Sequence, residues 1–162
     1  MVLTVLGGWV AIAPNVVVLP PNEAADPMEP FHVSFVITNL APLPIYSVVA
    51  KCGGASIDAS GKNPPYKPSP KHPHMWGVRE KQSAFSAEKL SSQESHTFQC
   101  GELWAFAFNG QPVPATSCNI TINLRMRIFH IIPWSTHSDF VGELGDDKKI
   151  HWQFKPMQEV KG

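Results

Sequence analysis

Hydrophobic and polar residues alternate with a period of two along several short stretches of this chain. From Phe31 to Thr38, Phe31, Val33, Phe35 and Ile37 share one parity, while His32, Ser34 and Thr38 take the other. Successive side chains of a strand point to opposite faces, so this stretch predicts a strand half buried in a sandwich. The longest such pattern covers Asn119–Ile131, with Ile120, Ile122, Leu124, Met126 and Ile128 set against Thr121, Asn123, Arg125 and Arg127. On a helix, alternate residues lie about 200° apart, so no helix can separate these two sets. Pro133 is read as the end of this strand.

Shorter segments extend the pattern. Val16–Leu19 reads as a buried first strand. Ile45–Cys52 reads as a strand with Tyr46, Val48, Ala50 and Cys52 on one face. Val78–Leu90 holds one or two weakly patterned edge strands. Glu94–Cys100 places His96, Phe98 and Cys100 together, and Lys149–Phe154 closes the domain with Ile150, Trp152 and Phe154 on one side. Leu103–Phe108 is an apolar strand or flap ahead of Asn109-Gly110, a strong turn signal. Pro20–Pro30 and the turn at Gly145-Asp-Asp are connections. Gly53–Gly77, with five prolines and four glycines, is a long loop.

About seven strands with connections of this kind predict an all-β protein, an immunoglobulin-like antiparallel β-sandwich. The 162 residues suffice for one domain, and their sixteen prolines argue against long helices. The division expected is an apolar segment over residues 1–13, a sandwich over 14–156 and a tail over 157–162.

Charge narrows the function. The formal net charge is zero and only 16% of residues are charged. That leaves no basic stripe for phosphates, so no nucleic-acid partner is expected. Residues 1–13 are apolar and carry no charged side chain. They are too short to span a bilayer alone and lack the basic start of a signal peptide. They read as the end of a longer membrane segment, a membrane-surface anchor or a first core strand. Three cysteines, Cys52, Cys100 and Cys118, leave one over if two pair. In an exported protein, a Cys52–Cys100 bridge closes about 49 residues and is worth about 4 kcal/mol. Three reduced thiols packed as small hydrophobes are the alternative.

The order and spacing of several short motifs resemble an uncharacterised bacterial family with an N-terminal hydrophobic anchor followed by an immunoglobulin-like β-domain. They are Trp9 and Pro14 before a Val-rich strand, Pro30-Phe31, Phe35-Val-Ile-Thr-Asn39 and Leu43-Pro-Ile-Tyr46-Ser-Val48. Cys52, Cys100, the Asn119–Arg127 strand, Pro133-Trp134, Phe140 and His151-Trp152 continue the series. The resemblance covers most of the chain outside Gly53–Gly77. It implies the sandwich, a membrane anchor and Cys52 with Cys100 as the natural pair, and it carries no established activity.

Candidate chemistry is sparse. Ser135, His137 and Asp139 supply all the types of a hydrolytic triad within five residues. Working triads draw their members from distant segments beside an oxyanion hole, so a polar surface turn is the better reading. His72 and His74 flank a proline without further spaced ligands, and His130, His137 and His151 form a second histidine set. Asp146-Asp147 lacks calcium-loop spacing. Asn119-Ile-Thr121 matches a glycosylation sequon by chance at a strand start. The candidate interaction surface is Leu103, Trp104, Phe106, Phe108 and Trp134, because aromatics concentrate at interfaces.

The expected function is a non-enzymatic binding or structural accessory domain, membrane-associated and extracytoplasmic. It acts through an unknown protein partner and needs no cofactor. The alternatives are a small hydrolase or metal-dependent enzyme using His137 and Asp139 or the histidines, and a subunit packed into a larger assembly through its N-terminal segment.

Overall fold

The structure is a computed structural model that describes residues 14–58, 84–100, 107–108, 111–112 and 114–155. In chain order the strands are β1 (Val16–Leu19), β2 (Ser34–Asn39), β3 (Ile45–Asp58), β4 (Phe85–Leu90) and β5 (Ser95–Gln99). They continue with β6 (Ala107–Phe108), β7 (Gln111–Pro112), β8 (Ser117–Ile128), β9 (Ile132–Leu144) and β10 (Ile150–Phe154). One sheet has the order β1-β2-β5, and the other β10-β9-β8-β3-β4; β6 and β7 form a small separate hairpin. Every pairing is antiparallel. The fold is a β-sandwich with an immunoglobulin-like strand order: first, second and fifth strands face a sheet built on the third, fourth and late strands.

The alternation seen in the sequence becomes the core. Phe35 and Ile37 of β2 and Ile120, Ile122 and Leu124 of β8 point between the sheets and are buried. Phe35 sits at the centre, its ring 5.1 Å from Phe140, 5.8 Å from Trp152 and 6.1 Å from Phe98. The Trp152 indole N–H donates to the Pro30 carbonyl at 3.0 Å, so this ring is buried without an orphaned donor. Gly142 faces the same interior. A Cβ there would lie 2.6 Å from Cys118 Sγ and 2.7 Å from an Ile150 methyl, so only glycine lets β9 approach β10 and Cys118 so closely.

Several expectations are corrected. Ser135–Asp139 is not a surface turn; it is the middle of β9, the thirteen-residue partner of β8. The β8 strand ends at Ile128, and the chain reverses over 129–131 before Pro133. Pro133 lies in β9 where β10 does not reach, since β10 pairs only with Phe140–Leu144. Proline is tolerated at such an unpaired edge. The β3 strand runs on through Gly53 to Asp58, so the long loop starts later than Gly53. A bulge between Tyr46 and Val49, with Ser47 at φ 50°, turns Tyr46 away from the buried Val48, Ala50 and Cys52. Phe31 and Val33 are buried, but they precede β2. Phe154 is half exposed, although its ring lies 5.0 Å from that of Phe140.

The edge of β10 is covered by the chain itself. Ala25 exchanges both backbone hydrogen bonds with Ile150, at 2.8 and 2.9 Å, as the β1–β2 connection crosses from one sheet to the other.

Among the described residues, Asn39 is the buried polar residue of this core. Its Nδ2 donates to the carbonyls of Leu43 (2.9 Å), Leu90 (3.1 Å) and Ser91 (3.1 Å), while its Oδ1 accepts from the Ala41 N–H at 3.0 Å. Replacing Asn39 by Asp removes the donors and sets a buried carboxylate against carbonyl oxygens. Asn39→Asp is expected to cost about 3 kcal/mol at neutral pH. The buried carboxyl would have a raised pKa, so part of the loss should be regained as pH falls and the acid becomes a donor. Urea unfolding at pH 7 and pH 4.5, each referred to the parent chain, measures both effects. An unchanged midpoint would remove Asn39 from the framework.

Candidate functional site

Two surfaces stand out. The first is the outer face of the five-stranded sheet, where odd-numbered residues of β8 and β9 project. Across it the register aligns Lys51, Asn123 and His137 in one row and Val49, Arg125 and Ser135 in the next. All of these except Val49 line a shallow groove of about 340 Å³, whose other walls include Gly53 and Thr136. Lys51 and Arg125 are exposed, and neither forms an ion pair with another described residue.

Ser135, His137 and Asp139 share this face at alternate positions of β9. His137 Nε2 lies 4.0 Å from Asp139 Oδ2, the histidine largely exposed and the aspartate partly so. The Asp139 carboxylate instead accepts from the Thr121 hydroxyl at 2.5 Å, its cross-strand neighbour. Alternate residues of a straight strand lie about 7 Å apart, so Ser135 and His137 are spaced as neighbours on a ladder. The three histidines are spread out. His130 is in the β8–β9 turn, His137 is in mid-strand, and His151 pairs opposite Glu143, six residues further along β9. Among the described residues no three His, Cys, Asp or Glu side chains are grouped to hold a metal ion. His72 and His74 lie outside the described residues. So do Leu103, Trp104 and Phe106, while only the backbone of Phe108 is described, in β6. Asn119 of the sequon is half-buried within β8, opposite Val141.

The second surface is one end of the sandwich, assembled from three connections that pattern reading keeps apart. Ile45 pairs with both Leu90 and Ile128, so the loops 40–44, 91–94 and 129–131 emerge together. Large apolar side chains are exposed there: Leu40, Leu43, Phe129, Ile131 and, just behind them, Trp134. Ile131 is 76% exposed, which no core role explains. The turn at its base is strained. Phe129 and His130 have φ of 53° and 64°, and the Ile131 N–H donates to the Ile128 carbonyl at 3.2 Å. Such a primed turn normally takes Asn-Gly, and each bulky residue in it costs about 1 kcal/mol. The His130 ring, 3.6 Å from that of Tyr46, is held in place by stacking.

The loops beneath are well fastened. Glu94 accepts from the Ser91 N–H at 2.6 Å and bonds His96 Nε2 at 2.8 Å. The Ser91 N–H and then His96 keep its carboxyl below the usual range. Asn15, where the chain enters β1, joins this same end, its carbonyl accepting from the Leu40 N–H at 2.7 Å. Pro14 and Asn15 therefore lie beside the exposed apolar loops.

Two cysteines join the sheets. Cys52 of β3 is bonded to Cys100, which follows β5. No known protein family, curated protein or solved structure matches the chain. Among the described residues, no helix is long and apolar enough to cross a membrane.

Cys118 is the free cysteine, buried behind Gly142, and burial pushes its thiol up to about 12. A thiolate is the reactive form, so the native chain should give no reaction with a thiol-specific reagent at pH 8. One thiol per chain should appear on unfolding without reductant. Stoichiometric reaction of the native protein would contradict this packing.

Proposed function

We propose that this domain is a non-enzymatic binding or structural accessory module, associated with a membrane through its N-terminal segment and acting by contact with another protein. The observation that carries the reading is the entry of the chain. Uncharged, apolar residues 1–13 join the sandwich at Pro14–Asn15, beside the loop end bearing Leu40, Leu43, Phe129 and Ile131. The strands run away from that end, which leaves the outer face of the five-stranded sheet standing clear for a partner. Its Lys51 and Arg125, without carboxylate partners among the described residues, suit an acidic protein surface. A bridge between Cys52 and Cys100 fits an oxidising compartment outside the cytoplasm. The resemblance to an uncharacterised bacterial family with an anchor and an immunoglobulin-like domain belongs to the same reading.

Flotation of the full chain with phospholipid vesicles tests the membrane half. The parent is expected to float, and a Leu6→Asp, Val10→Asp variant to stay in the soluble fraction, since each buried charge opposes insertion by roughly 3 kcal/mol. A photo-crosslinking residue in place of Asn123, on membranes of the producing cell, tests the protein half. A discrete adduct that disappears with Arg125→Glu is expected. A parent chain that does not float, or a sheet face that yields no adduct, contradicts the corresponding half.

A further inference from the structure

We infer that the loop end itself is a lipid-binding surface: Phe129 and Ile131 enter the bilayer interface while Arg127 and Lys89 meet anionic headgroups. The inference rests on the membrane reading above and adds what residues 1–13 do not supply, a fixed orientation of the sandwich.

Three observations converge on a lipid occupant. The first is the chain entry. The Leu40–Asn15 bond sets Pro14, to which the apolar residues 1–13 are joined, beside the apolar loops, so a bilayer that receives those residues is brought near this end.

The second is the arrangement by depth. Ile131 and Phe129 are the tip, 76% and 47% exposed. Trp134, 43% exposed, stands two residues behind Ile132, about 7 Å back along β9. Aliphatic and phenyl groups ahead of a tryptophan match the change from acyl chains to headgroups, where indole concentrates. Leu40 and Leu43 on the neighbouring loop widen the apolar contact.

The third is charge. Arg127 and Lys89 flank the exposed side of Tyr46, one on each neighbouring strand, and both are exposed. Arg127 makes a 3.4 Å hydrogen bond to the His130 carbonyl, which holds it beside the tip. Of the nearby carboxylates, Glu94 is occupied by Ser91 and His96, and Glu88 lies exposed on β4. Cations on the strands just behind an apolar tip are placed for phosphate, each adding about fivefold in affinity for an anionic surface.

An environment-sensitive fluorophore on an Ile131→Cys variant of the full chain tests this, with Leu144→Cys at the opposite end as control. The buried Cys118 leaves the introduced thiol as the site of labelling. On vesicles of phosphatidylcholine with phosphatidylglycerol, the Ile131 probe is expected to brighten and shift to the blue, and the Leu144 probe to stay as in water. Adding Phe129→Ser, with the label kept at position 131, should reduce that response about tenfold at limiting lipid. Arg127→Gln should weaken it roughly fivefold on anionic vesicles and leave neutral ones unaffected. A chain that floats with vesicles while the Ile131 probe remains in water overturns this inference and leaves the membrane reading intact. A chain that does not float overturns both. A blue shift that grows with protein concentration in the absence of lipid assigns the end to a second copy of the chain and also overturns the inference.

Discussion

The side-chain amide of Asn39 is the interaction on which one whole end of this molecule depends. It lies at the end of β2, fully buried, where the chain must leave one sheet for the other. A buried amide is tolerable only if its donors and acceptor are matched, and here the surrounding loops supply every partner. The loops in turn are shaped by that demand, since Leu43, Leu90 and Ser91 must all present carbonyls to one nitrogen. The backbone of Asn39 adds bonds to Glu94 and Gln93. Apolar side chains on such loops stay exposed because the backbone beneath them has no freedom to fold them inward.

The other end is held by different means. Cys52 and Cys100 link β3 to the end of β5, well along the strands from Asn39. Between the two fasteners lies the aromatic cluster around Phe35, closed on one side by Trp152 and its bond to Pro30. Three strands cannot cover five at about 4.8 Å spacing, so part of the larger sheet must face water on both sides. The first half of β9 is that part: Thr136 and Ser138 point inward yet remain only half-buried. The polar character of Ser135, His137 and Asp139 follows from the same geometry without any catalytic demand.

This explains what the sequence made legible. Strands whose inner faces are fully covered, β2 and β8, announce themselves by strict alternation of Phe35 and Ile37 or Ile120 to Ile128. β9 does not, because Ser135–Asp139 in its middle is polar on both faces and its second half has Gly142 at an inward position where a hydrophobe would mark the pattern. Parity alone puts Tyr46 on the buried face; the bulge turns it away, and nothing in Ile45–Cys52 signals a bulge. The turn at Phe129-His130 was hidden because neither residue suits a left-handed conformation, so the apolar run read as continuous strand. The apolar end is invisible for a deeper reason. Leu40 and Leu43 come from one connection, Phe129 and Ile131 from another and Trp134 from β9, and the pairing of Ile45 with Leu90 and Ile128 brings them together.

The central claim is that the sandwich stands on a membrane by this end. Paramagnetic relaxation from a lipid carrying a gadolinium headgroup, read on the backbone amides of the vesicle- or nanodisc-bound chain, tests it most directly. The account predicts strong broadening at Leu40–Leu43 and Phe129–Trp134, weaker broadening at Arg125, and none at Gly145–Lys149. Equal broadening at both ends, or broadening centred on Gly145–Lys149, would contradict it.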